Sequence, residues 1–100
     1  MSYILYIQHA LTFEWDEHNI NKLARHDVSC DEAESFFDNP RLEEPRTVNG
    51  EARIVALGVT DAGRPLTVVY CLRRDSIRVV TAYKTKRKYR RVYEQAIGKG

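Results

Sequence analysis

One hundred residues, 43% of them hydrophobic and 30% charged, suffice for one globular domain with a single core and for little more. No run approaches the ~20 apolar residues of a membrane helix. The opening MSYILYIQHAL has neither a basic segment nor a small-residue cleavage site, so the chain reads as cytoplasmic. The net charge of +2 hides a split: Thr12–Glu51 carries eleven acids against four bases, and Arg73–Arg91 carries nine bases against the single acid Asp75. Such asymmetry calls for an acidic partner, because a concentrated positive field gathers polyanions.

In chain order, Tyr3–Ile7 is apolar and β-prone, and is expected to add a strand at a sheet edge. Phe13–Trp15 reads as a second short extended piece. Asp16 is suited to cap a helix running to about Arg25, with Ile20, Leu23 and Ala24 as its apolar stripe. Ser29 with Glu32 three residues on forms a capping box for a second helix, whose buried face is Ala33, Phe36 and Phe37 and which stops at Asn39-Pro40. Leu42–Val48 is a weaker strand signal leading into Asn49-Gly50, a hairpin turn. Arg53–Val59, Leu66–Leu72 and Ser76–Tyr83 follow as strands, the middle one reading as a central strand buried on both sides. The last element is a basic helix over Thr85–Ile97, with Tyr89, Val92, Tyr93, Ala96 and Ile97 as its apolar positions. The fold class is α+β: a small antiparallel sheet, two N-terminal helices and one C-terminal basic helix packed against it, in one domain.

Six of the eight residues from Lys84 to Arg91 are basic and none is acidic. Like charges at helical spacing repel, so a purely solvated face explains this run poorly, and a polyanion or an acidic protein explains it better. Arg53 and Arg78 can point into a cleft or pair with the acidic first half. His9, His18 and His26 have no metal-ligand spacing, and Cys30 and Cys71 read as reduced thiols. Histidine is the side chain that changes charge near neutral pH, so His26 serves either as an acid–base group or as a favourable cation at a helix C-terminus.

An ordered series of motifs resembles the BrnT family of small bacterial toxins. It begins with Phe13-Glu14-Trp15-Asp16 and continues through Asn21, Arg25-His26, Val28-Ser29, Glu32-Ala33, Phe37-Asp38 with Pro40, and Gly50-Glu51 with Arg53. Gly58, Gly63-Arg64, Val68-Val69-Tyr70, Ile77-Arg78, Arg90 and Tyr93-Glu94 complete it, so residues 13–94 are covered and residues 1–12 form an extension. The resemblance implies a RelE-like fold and the toxin of a type II toxin–antitoxin pair. Such a toxin is an endoribonuclease that inhibits translation without a metal or other cofactor, and a ribbon-helix-helix antitoxin of the BrnA kind neutralises it. Its catalytic candidates here are His26, Arg53, Arg78 and Arg90. The RNA-binding candidates are Arg25, Arg64, Lys84, Arg87, Lys88 and Arg91. The first helix would then deliver Arg25 and His26 to the sheet rim, facing Arg53, Arg78 and Arg90.

Three positions depart from the family pattern. Asp27 replaces a glycine, a change that a left-handed turn tolerates. Tyr83 stands where an arginine is usual, and Tyr89 stands for a glutamate. With those departures the alternatives are a binding module that keeps antitoxin or nucleic-acid contact without cleavage, and a DNA-binding accessory protein.

Overall fold

The computed structural model describes residues 11–98 in full and residues 2–4 as backbone. Its elements are β1 (Ser2–Ile4), β2 (Thr12–Phe13), α1 (Glu17–Ala24), α2 (Cys30–Phe36), β3 (Arg41–Val48), β4 (Glu51–Val59), β5 (Pro65–Arg73), β6 (Ser76–Lys84) and α3 (Arg87–Ala96). The strands form one sheet in the order β1-β3-β4-β5-β6-β2. The three long hairpin pairs are antiparallel, but β2 runs parallel to β6, so the sheet is mixed rather than purely antiparallel. At this edge Glu14 N–H donates to Ile77 O at 2.9 Å before α1 begins. The expected N-terminal edge strand is present as β1, antiparallel to β3. The rest of the Tyr3–Ile7 run, and His9, lie outside the described residues. Among the described residues no helix is long and apolar enough to cross a membrane.

The local signals act as their chemistry dictates. Asn49 and Gly50 both take positive φ, 51° and 79°, as a two-residue hairpin of type I′ requires, and β3 is a full eight-residue strand. Ser29 and Glu32 satisfy each other's backbone N–H groups at the start of α2. Asp16 and Asn19 do the same for α1. The chain leaves α1 through a Schellman turn. Asp27 N–H donates to Ala24 O, Val28 N–H donates to Leu23 O, and Asp27 sits at φ 58°, in the left-handed region.

Alternation along the strands separates two faces. On one, Ala56, Leu66, Val68, Tyr70, Ile77, Val79 and Ala82 pack with Leu23, Val28, Ala33, Phe36 and Phe37 of the first two helices and their flanks. Gly58 belongs to this face, where a Cβ would stand 2.7 Å from Cε2 of Phe36. The helix therefore approaches β4 as closely as it does only because that side chain is missing. Two expectations fail on this face. Ile20 and Ala24 are exposed, and α1 is instead seated by Leu23 and the buried Asn19, whose Nδ2 donates to Glu14 O and Val79 O at 3.0 Å each. A short polar helix docks through a satisfied amide as well as an apolar stripe.

On the opposite face α3 covers only one end of the sheet. Tyr93, with Ile97, packs on Leu42, Leu57 and Val59, and Tyr93 OH donates to Pro40 O at 2.7 Å. Tyr89 and Val92 are exposed, against the sequence expectation that they face the core. The face α3 leaves open also explains why β5 is not buried on both sides: Val69 and Cys71, which alternate onto it, are half-buried.

Candidate functional site

The open face carries a cleft. A register shift between β5 and β6 pairs Val69 with Thr81 but Tyr70 with Val79, leaving Val80 without a partner residue. The bulge reverses the alternation. Ile77 and Val79 point into the core before it, Ala82 points in after it, and Tyr83 is turned out beside α3. There Tyr83 lines a cleft of about 300 Å³ with Glu44, Arg46, Val55, Leu57, Thr67, Lys86 and Tyr89. Thr67 forms a buried hydroxyl pair with Thr85 at 3.0 Å.

His26 packs against Tyr83, one of the residues that line this cleft. The Schellman turn fixes its backbone, and its exposed ring lies 5.8 Å from the Tyr83 ring, centroid to centroid, at an interplanar angle of 55°. Arg25 is exposed beside it. Lys84, Arg87, Lys88 and Arg91 are exposed on or next to α3, and Lys88 Nζ stands 5.6 Å from the centre of the Tyr89 ring.

The acids of the first half do not reach this helix. Among the described residues their ion pairs engage Arg41, Arg46, Arg53, Arg64, Arg73 and Arg78, and none involves a base between Lys84 and Arg91. The other arginine candidates are therefore dispersed. Arg78 is held by Asp16 Oδ2 at 2.9 Å and Glu14 Oε1 at 3.1 Å, near the opposite end of β6 from Tyr83. That contact keeps the Asp16 carboxyl below its usual range and raises the Arg78 guanidinium. Arg53 pairs with Glu51 at 3.0 Å beside the β3–β4 turn. It lies opposite Arg46, and each arginine of this like-charged pair has its own acid two residues away.

Arg64 donates to both carboxylate oxygens of Glu32, at 3.0 and 2.9 Å, and to Asp27 O at 2.7 Å. It thus ties the β4–β5 turn to the start of α2, and it holds the Glu32 carboxyl below its ordinary range. Arg90 lines a second cleft of about 280 Å³ with Leu57, Gly63, Pro65, Tyr93 and Glu94, where its Nε is buried with no hydrogen-bond partner. The structure brings His26 together with Tyr83, not with Arg53, Arg78 or Arg90.

Sequence reasoning passed over Arg46, Glu44 and Lys86. The period of two along β3 places Glu44 and Arg46 on one face, but only the fold shows that this face is the open one. No group of three or more His, Cys, Asp or Glu side chains able to hold a metal occurs among the described residues. Cys30 is half-buried, and its thiol is pushed up by burial and by the carboxylates of Glu34 and Asp31.

No curated protein matches the chain. A family model described as the ribonuclease toxin, BrnT, of type II toxin–antitoxin systems matches residues 15–88, from the Trp15 of the FEWD motif to the second residue of α3. The chain belongs to the BrnT family of ribonuclease toxins from type II toxin–antitoxin systems.

Proposed function

We propose that this protein is a cytoplasmic endoribonuclease toxin with a RelE-like fold, which cuts single-stranded RNA along the open sheet face beside α3 and is silenced by a ribbon-helix-helix antitoxin. One observation carries the reading. Lys86, Tyr83 and Tyr89 line a cleft beside the run Lys84–Arg91, whose lysines and arginines have no acid partner among the described residues, and His26 packs against Tyr83. Phosphates satisfy the bases, and unstacked bases satisfy the tyrosines.

The chemistry needs no metal. The 2′-oxygen attacks the adjacent phosphorus, the P–O5′ bond breaks, and the products are a 2′,3′-cyclic phosphate and a 5′-hydroxyl. A base must take the 2′-OH proton and an acid must return one to the 5′-oxygen. His26, with Tyr83 against its ring, is assigned that proton traffic. Lys86, beside the cleft at the start of α3, neutralises charge gathering on the phosphorane oxygens, with Arg25 on the His26 side. Arg53 and Arg78 act in this reading through the groups they hold: Arg78 anchors the Asp16 cap of α1, the helix whose C-terminal turn carries His26.

The test is single-turnover cleavage of a mixed-sequence RNA by antitoxin-free protein, with EDTA present. Parent protein should cleave, and His26→Ala should cleave at least ~100-fold more slowly with a melting temperature close to the parent's. Equal rates in parent and variant would move the proton transfer away from His26. A parent that binds RNA and leaves it intact would favour the binding-module alternative, with Tyr83→Arg as the next variant.

A further inference from the structure

We infer that the cleft between Tyr83 and Tyr89 is a nucleobase pocket and that Glu44 makes it select guanine. This rests on the ribonuclease reading and names the base which that site takes.

The starting point is a residue in the wrong place for a phosphate site. Glu44 lines a cleft otherwise supplied with Arg46, Lys86 and two tyrosines. A carboxylate there repels a sugar–phosphate backbone, so it makes sense only facing the part of a nucleotide that donates hydrogen bonds. The neighbouring groups fit a base. Tyr83 and Tyr89 both line the cleft, and each ring already has a companion that steadies it, His26 for Tyr83 and Lys88 for Tyr89. Val55 and Leu57 give it apolar floor, as stacked bases require.

Glu44 is oriented by Arg46, whose Nη2 donates to Glu44 Oε2 at 2.9 Å. That single bond leaves Oε1 and a lone pair on Oε2 for a ligand, because a carboxylate accepts at about four sites. Guanine alone among the four bases presents two adjacent donors, N1–H and the 2-amino group, which match two carboxylate oxygens. Adenine and cytosine each offer one amino group beside a ring acceptor. Uracil offers one N–H between two carbonyls, and those carbonyls would face the carboxylate. Both bonds to guanine are charge-assisted, the stronger class of hydrogen bond.

The competing role for Glu44 is that of a surface counter-ion to Arg46 and nothing else. Fluorescence anisotropy separates the two with 2′-fluoro pentanucleotides, which lack the nucleophile: UUGUU, UUAUU, and UUIUU, in which inosine keeps N1–H and lacks the 2-amino group. Parent protein should bind the guanine oligomer about tenfold more tightly than the adenine one, with inosine between them. In Glu44→Gln, whose amide replaces one acceptor by a donor, the three affinities should converge to within about twofold. Glu44→Asp, with the carboxylate withdrawn by one methylene, should narrow the preference as well. Equal binding of the three oligomers by the parent overturns the guanine assignment and leaves the ribonuclease reading standing. A preference that survives in Glu44→Gln removes Glu44 from the role. If no oligomer binds and no RNA is cleaved, both readings fall together.

Discussion

Replacing Arg87, Lys88 and Arg91 by glutamine tests whether α3 is a nucleic-acid surface or a structural element. All three side chains are exposed, and none has an acid partner among the described residues. If each contacts one phosphate of a single strand, the triple variant loses about 2 units from the slope of log K against log[salt], at ~0.7 per phosphate. Over a fourfold rise in salt, from 50 to 200 mM, the parent should therefore lose about 20-fold more affinity than the variant does. Stability should move the other way. The three bases crowd one another at i, i+3 and i+4, and two of them stand in the first turn of a helix that has no side-chain cap, where the dipole disfavours cations. Their removal should leave the melting temperature unchanged or raise it. The assay is anisotropy of a labelled oligouridylate titrated at several salt concentrations, with thermal melts of both proteins. An unchanged slope refutes the phosphate contacts, and a fall in melting temperature shows that the bases hold the fold instead.

Gly58→Ala should destabilise by about 1–3 kcal/mol, because the new methyl meets the buried Phe36 ring and α2 must shift; chemical denaturation measures it. Arg74 occupies the β5–β6 turn at φ 56°, so Arg74→Gly should stabilise by roughly 1 kcal/mol, and a variant that melts lower would contradict the strain argument. The Arg64 contact lowers the folded-state pKa of Glu32, so its contribution is fully present above the ordinary glutamate range. It is lost as pH falls through the depressed value. Glu32→Gln should therefore reduce the melting temperature at neutral pH and flatten its fall in acid; parallel pH curves for the two proteins would disprove the linkage.

What the sequence determined by itself were the features that depend on near neighbours. Ser29 and Glu32 start α2, Asn49-Gly50 turns a hairpin, and Asp27 accepts a left-handed backbone, because caps and turns are settled within a few residues. The family motifs and the uncompensated charge of Lys84–Arg91 were equally legible, since neither depends on what lies across the sheet. Only the tertiary structure decided which residues lie together at the candidate site. A strict alternation along SIRVVTAY would put Tyr83 on the core face with Ile77 and Val79. The extra residue at Val80 turns it outward to meet His26, and such a bulge is fixed by pairing with β5 rather than by β6 alone. The acids likewise chose among the arginines by position in space. Arg53, Arg64 and Arg78 have acids within reach and are engaged, while the α3 bases lie on the one helix beyond the open face, out of reach of the acids. An ion pair depends on distances of a few ångströms between residues far apart in the chain, so composition revealed the surplus of charge but not which side chains would carry it.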